Sequence, residues 1–92
     1  MGEYTLINIG FNNGVIAEKV VAVLSPESAS SKRLRDEARA DHRLIDASQG
    51  RKTRSMIVMD SNHIILSSQR LSTISQKFKA EDFTVDVADE EK

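Results

Sequence analysis

The sequence contains no cysteine and no tryptophan, and only four of its 92 residues are aromatic. The absence of cysteine excludes disulfides, cysteine-based zinc sites, iron–sulfur clusters and thiol catalysis, and it is typical of proteins in a reducing compartment. No apolar run approaches the length of about 18 residues that a membrane span needs. The chain starts without a basic region ahead of an apolar stretch, so we expect no secretion signal and a cytoplasmic location.

Glycine and proline are also scarce, with four and one, while 39% of the residues are apolar, which is typical of an ordinary folded domain. The sequence predicts one domain over residues 1–80 and an acidic tail over residues 81–92. The tail sums to −5, and the twelve basic and eight acidic residues of the domain sum to +4. We expect the tail to be disordered, because it has few apolar groups to bury.

Short segments rich in β-branched and apolar residues predict strands at 4–9, 15–17, 20–24, 44–47, 55–59 and 63–66. Asn-Asn-Gly at 12–14 tolerates positive φ and predicts a tight reversal that joins the first three segments into an antiparallel meander. Asp-Ser-Asn at 60–62 predicts a hairpin between the last two.

Two segments predict helices. Ser25 can cap a helix, Pro26 suits its first position and Glu27 favours the positive end of its dipole, so we expect a helix over 26–43. Apolar residues spaced by three and four predict a second, short helix over 72–79. The predicted fold class is therefore α+β: a small single domain, mostly antiparallel sheet, with one main helix and a short C-terminal helix.

A dense basic cluster follows Gly50 in a loop that leads into a buried strand. It consists of Arg51, Lys52 and Arg54. One interpretation is contact with the phosphates of a nucleic acid, with an arginine reaching a base edge. The other is a solvated charge cluster balanced by Asp46 and Asp60.

The predicted main helix carries a secondary basic face at helical spacing, formed by Lys32, Arg35, Arg39 and Arg43. Acidic residues at 36, 37 and 41 favour a solvent-facing helix with ion pairs along it. The face could also flank a binding site.

The chain offers little for catalysis. Its two histidines, His42 and His63, lack metal-ligand spacing, and no Gly-x-Ser-x-Gly motif is present. Gly-Arg-Lys-Thr at 50–53 lacks the upstream glycine and the following helix of a nucleotide-binding loop. We expect no enzyme activity, no cofactor, no metal and no small-molecule substrate. The narrow apolar stripe of the main helix and the few aromatics favour self-association.

Four motifs occur in order: Asn-Ile-Gly-Phe at 8–11, Ser-Pro-Glu-Ser-Ala at 25–29, Leu-Ile-Asp-Ala at 44–47 with Gly-Arg-Lys-Thr-Arg at 50–54, and Val-Met-Asp-Ser-Asn-His-Ile-Ile-Leu-Ser at 58–67. With them the chain resembles, over about residues 5–68, the RemA family of bacterial regulators of biofilm matrix genes. The resemblance implies a ring-forming, DNA-binding transcriptional regulator whose basic residues contact DNA phosphates.

Carried over by position, the family's paired arginines fall on Arg51 and Lys52, and an arginine before the second strand falls on Lys19. Both departures replace arginine by lysine, which keeps the charge but loses the planar, bidentate guanidinium. Glu18 beside Lys19 weakens its attraction for phosphate.

The resulting prediction is an oligomeric DNA-binding regulator of the bacterial cytoplasm, associated with the nucleoid and with duplex DNA as partner. Arg51 and Lys52 are its main phosphate contacts, with Lys19 and Arg54 as helpers. One alternative is a protein-interaction scaffold without DNA activity. Another is an RNA-binding oligomer, against which no aromatic residue is interleaved with the basic cluster to stack on unpaired bases.

Overall fold

The computed structural model describes the backbone of residues 4–82 and the side chains of residues 4–79. Its strands are β1 (Leu6–Gly10), β2 (Asn13–Ile16), β3 (Val20–Leu24), β4 (Leu44–Asp46), β5 (Ser55–Met59) and β6 (Ile64–Ser67), and its helices are α1 (Ala29–Ala40) and α2 (Leu71–Asp82). The predicted α+β class is confirmed. The predicted disordered tail, 81–92, is wrong at its first two residues, because α2 continues through Asp82; residues 83–92 lie outside the described residues.

The strands form two sheets. β1 and β2 make an antiparallel hairpin, and the other strands make a four-stranded sheet in the order β3-β5-β6-β4. The predicted meander is therefore wrong at its third strand, because β3 leaves β2 after a short 3-10 helix, Ala17–Lys19, and pairs with β5. The predicted hairpin of β5 and β6 is confirmed. β4 joins β6 in parallel, so the sheet is mixed.

The four-stranded sheet is covered on both faces. On β5, Met56 packs in a cluster with Ala38 of α1, whereas its neighbour Ile57 packs in a cluster with Ile9 of the hairpin and Ile74 of α2. Successive side chains of a strand point to opposite faces. The domain therefore has three layers: α1, the four-stranded sheet, and the hairpin together with α2.

Helix α1 is shorter than the predicted 26–43. It starts three residues later, because Ser28 rather than Ser25 is the cap: the Ser28 hydroxyl accepts a hydrogen bond from the Ser31 amide at 3.0 Å. It ends at Ala40, because His42 adopts a left-handed φ of 60° and the Arg43 amide donates back to the Ala38 carbonyl at 2.7 Å. This C-terminal motif usually has glycine at the left-handed position.

Helix α2 confirms the predicted C-terminal helix, with wider bounds. Its Ile74 is fully buried, and the Lys77 ammonium donates to the Asn8 carbonyl at 2.8 Å and to the Gln69 side-chain oxygen at 3.0 Å. The bond to Asn8 fixes α2 to strand β1. Of the helices in residues 4–82, neither is long and apolar enough to cross a membrane.

Candidate nucleic-acid interface

The basic cluster lies on a loop whose shape is set by its first residues. The Asp46 carboxylate accepts from the Ser48 amide at 2.9 Å and from the Ser48 hydroxyl at 2.6 Å, and the Arg51 amide donates to the Ser48 carbonyl at 3.0 Å. The two hydrogen bonds from Ser48, that of the hydroxyl foremost, lower the pKa of Asp46 below its ordinary value. Gln49 and Gly50 both have left-handed φ, 56° and 77°, and turn the chain between them.

Ser67 ties this loop to the tip of the hairpin. It is fully buried; its hydroxyl donates to the Ile9 carbonyl at 2.8 Å, and its own carbonyl accepts from the Arg54 amide at 2.8 Å. Ile9 lies two residues before the hairpin turn, and Arg54 ends the basic cluster. One buried serine therefore fixes the end of the cluster relative to the hairpin turn.

The side chains of Arg51, Lys52 and Arg54 are exposed, and among the residues with described side chains none of the three forms an ion pair. Neither carboxylate named as a balancing charge is used that way. Asp46 is occupied by Ser48, and Asp60 lies beyond the other end of β5. The cluster thus presents three cations to solvent.

The structure adds an aromatic side chain that the sequence analysis missed. The guanidinium of Arg51 lies over the ring of Phe11, 5.6 Å from its centroid. Phe11 is 48% exposed and has a left-handed φ of 54°, as has Asn12 with 64°, so the reversal predicted at 12–14 lies at 11–12. No aromatic is interleaved with the basic cluster along the chain, but Phe11 lies beside it in the fold, so this objection to RNA binding does not hold. Forty residues separate the pair, and only the hairpin's packing brings them together.

Lys19 is not brought to the cluster. Its ammonium lies 5.6 Å from the centroid of the Tyr4 ring, and its carbonyl accepts from the Asp60 amide. β5 separates this end of the sheet from Arg54, a distance of about 16 Å at roughly 3.3 Å per residue. The Glu18 carboxylate accepts from the Thr5 amide at 2.8 Å, which lowers its pKa and keeps a negative charge beside Lys19.

The secondary basic face is split. Lys32 is exposed on α1, and Arg39 forms an exposed pair with Asp36 at 3.3 Å. Arg35 is half-buried. Arg43 lies beyond the end of α1, so it is not on a helical face as predicted.

Two contacts show how Arg43 is held. Its guanidinium donates to the Asn62 carbonyl at 2.6 Å and pairs with Asp41 at 3.0 Å. α1 covers the sheet face opposite the hairpin, away from Phe11.

The loop offers two kinds of chemical group, the exposed cations of the basic cluster and the aromatic ring of Phe11. Within the described part of the chain, no three His, Asp or Glu side chains come close enough together to hold a metal ion. Exposed guanidinium and ammonium groups attract phosphates, and an aromatic face can stack on a base. The loop therefore presents groups that can contact the phosphates and the bases of a nucleic acid.

The chain is similar to known proteins of one family. Residues 6–78 match the model of a family described as RemA-like, extracellular matrix regulatory protein A-like. A protein of Desulfosudis oleivorans named "Putative regulatory protein" is 58% identical over 80 residues, which cover 87% of this chain and 82% of the relative. Relatives of the same name from Oleidesulfovibrio alaskensis and Thermotoga maritima are 55% and 56% identical, covering 89% and 82% of this chain and 98% and 82% of the relatives.

Proposed function

The chain belongs to the RemA-like family, and on that basis we propose that it is a ring-forming transcriptional regulator that binds duplex DNA. Relatives bear the names of regulatory proteins rather than of enzymes. Arg51 and Lys52 contact DNA phosphates, and Arg54 assists at the root of the same loop. Lys19 contacts the DNA separately, because it lies at the opposite end of the sheet. Its place of action is the nucleoid in the cytoplasm.

One observation carries this proposal: the three cations of the loop are exposed, without ion-pair partners among the described side chains, on a backbone fixed at both ends. A cation already positioned by the fold loses little freedom when it meets a phosphate. It also releases a counterion from the DNA, which is the main source of salt-dependent affinity.

Repetition of the loop would supply the affinity that one subunit lacks. Linked copies make each later contact intramolecular and raise the overall affinity without new contacts. A ring also places equivalent basic loops around one particle, which favours bending or wrapping of the DNA, with selectivity partly from its deformability.

The edges of the four-stranded sheet offer a route to such a ring. β3 is one edge and is entirely apolar; Val21, the extra residue of its bulge, is 66% exposed. β4 is the other edge, with Ile45 47% exposed. Both edge strands run in the same direction, so β3 of one copy can pair in parallel with β4 of the next. A head-to-tail contact of this kind closes into a ring when the rotation between copies allows.

The test is Arg51→Ala in a mobility-shift assay with duplex DNA. We expect the variant to lose DNA retention while its mass by light scattering is unchanged, because Arg51 is exposed and does not contribute to the core. Arg33→Ala, which removes an exposed arginine from α1, is the matched control and should retain DNA. Wild-type retention in the Arg51 variant contradicts the assignment.

Two further binding measurements separate the alternatives. A protein-interaction scaffold should give no salt-dependent signal in fluorescence anisotropy with duplex DNA. An RNA-binding oligomer should release duplex DNA when single-stranded RNA is added at equal concentration. Either result would contradict the proposal.

A further inference from the structure

We propose that Phe11, at the tip of the hairpin, inserts between base pairs of the bound duplex while Arg51 holds the adjacent phosphate. This rests on the proposed function, since it names how the same loop engages DNA. The juxtaposition that carries it is an exposed ring at a hairpin turn, with a guanidinium 5.6 Å from its centroid.

The conformation of Phe11 is the first step. A two-residue hairpin turn with left-handed φ at both positions favours Asn, Asp or Gly, and a bulky residue there carries strain. Asn12 suits the turn, whereas Phe11 does not. Strained backbone tends to occur where function requires a particular side chain. The turn would fold more readily with asparagine at 11, so the ring itself is the feature to explain.

The exposure of the ring is the second step. Within the hairpin, Ile7, Ile9 and Val15 are buried against the sheet and account for its packing, whereas Phe11 is half exposed at the tip. Its ring therefore adds little to the core. Apolar side chains presented to a groove unstack a base step and kink the duplex, and phenylalanine is one of the residues that do so.

The anchoring of the tip is the third step. The Ser67 hydroxyl holds the Ile9 carbonyl, and the Asn8 side-chain oxygen accepts from the Gly10 amide at 2.7 Å. The hairpin cannot swing away from the basic loop without breaking the buried bond. Ring and guanidinium therefore approach the DNA as one unit, the arginine on a phosphate and the ring on a base step.

The experiment compares Phe11→Ala, Phe11→Leu and wild type on a duplex with 2-aminopurine at pyrimidine–purine steps, which kink most easily. We expect wild type to raise 2-aminopurine fluorescence, which reports unstacking, and to bend the duplex by end-to-end energy transfer. Phe11→Ala should lose both signals and bind roughly tenfold more weakly, with an unchanged salt slope because no charge is removed. Phe11→Leu, which keeps an apolar wedge, should retain most of both.

Two controls keep the result interpretable. Tyr4→Ala removes another exposed ring beside a cation, at the far end of the hairpin, and should leave the 2-aminopurine signal intact. Phe11→Asn should give a higher urea midpoint than wild type, since asparagine suits the left-handed turn, yet lose the unstacking signal. That combination separates loss of the ring from loss of folding.

Three outcomes would overturn the inference. If Phe11→Ala unstacks and bends the duplex as much as wild type does, the Phe11 ring is not the inserted side chain. If Phe11→Ala lowers the salt slope but leaves the 2-aminopurine signal unchanged, Phe11 only positions Arg51. Tighter binding of the single strand than of the duplex would mean that the ring stacks on unpaired bases. If wild type binds no DNA at all, the proposed function fails with it, and that result is distinct from the first three.

Discussion

At the scale of single residues, the basic loop depends on Gly50 for its shape. A Cβ added to Gly50 would meet no atom within 4 Å, so any cost of substitution comes from its φ of 77° alone. Gly14 is the opposite case: its φ is ordinary, and an added Cβ would lie 3.0 Å from a methyl of the exposed, flexible Leu6 side chain. A substitution of Gly50 therefore tests backbone strain alone, whereas a substitution of Gly14 tests crowding against a side chain.

We predict that Gly50→Ala lowers the free energy of unfolding by about 1 kcal/mol, measured by urea denaturation, because alanine is disfavoured at left-handed φ. It should also weaken DNA binding, because the strain is relieved by turning Arg51 away from Phe11. Gly14→Ala should cost less and leave DNA binding unchanged. Equal effects of the two substitutions on DNA binding would show that the left-handed turn does not position Arg51.

The sequence was sufficient to predict the cations of the basic loop, but it was not sufficient to predict which residues of other elements lie beside them. Arg51, Lys52 and Arg54 lie within four consecutive residues, so the sequence alone identifies the cluster. Phe11 of the hairpin turn contacts Arg51, and the Ser67 carbonyl of β6 accepts a hydrogen bond from the Arg54 amide. Both residues are distant from the basic cluster along the chain, so no local sequence pattern links them to it. The turn lies at 11–12, one residue earlier than the asparagines indicated. Phe11 gave no signal for it, because phenylalanine rarely adopts a left-handed φ.

At the scale of elements, the loop between β4 and β5 is held by the Asp46 carboxylate. Its pKa in the folded chain is lowered, chiefly by the Ser48 hydroxyl. A lowered folded pKa means that unfolding takes up a proton in the acidic range. The stabilisation is therefore complete above the ordinary pKa of aspartate and is lost as the pH falls through the lower, folded value.

We predict that wild type is more stable than Asp46→Asn at neutral pH and that the difference vanishes on acidification through that range. Urea titrations at a series of pH values measure it. The double variant with Ser48→Ala is the control, since removing the hydroxyl should shrink the effect of Asp46→Asn. A difference that is independent of pH would show that the charge of Asp46 does not stabilise the loop.

Element boundaries show why the remaining features of the fold escaped prediction. Ser25 and Ser28 lie three residues apart, and either could cap a helix. The sequence does not distinguish between them, whereas the fold uses Ser28. The end of α1 escaped because His42, not glycine, takes the left-handed position. The parallel pairing of β4 with β6 depends on contacts between segments that are 20 residues apart, which local propensity does not encode.

At the scale of the whole molecule, the proposed ring would form through the two edge strands of the four-stranded sheet, β3 and β4. We predict that Val21→Glu reduces the particle to single subunits by light scattering, because a buried carboxylate in a strand-to-strand contact is costly. Leu34→Glu, which places the same charge at a partly exposed site on α1, is the matched control and should leave the mass unchanged. An intact particle in the Val21 variant would exclude the β3 edge as the subunit contact.

The salt dependence of DNA binding tests whether one cationic loop, repeated around a particle, makes weak phosphate contacts collectively strong. The most direct measurement is the slope of log affinity against log salt for duplex DNA, taken at low salt for wild type and for Arg51→Ala with the particle mass confirmed. One lost phosphate contact changes this slope by about 0.9. We predict a change several times larger, because the substitution recurs in every subunit that touches the DNA. A change of about 0.9 or less with an intact particle would contradict the account.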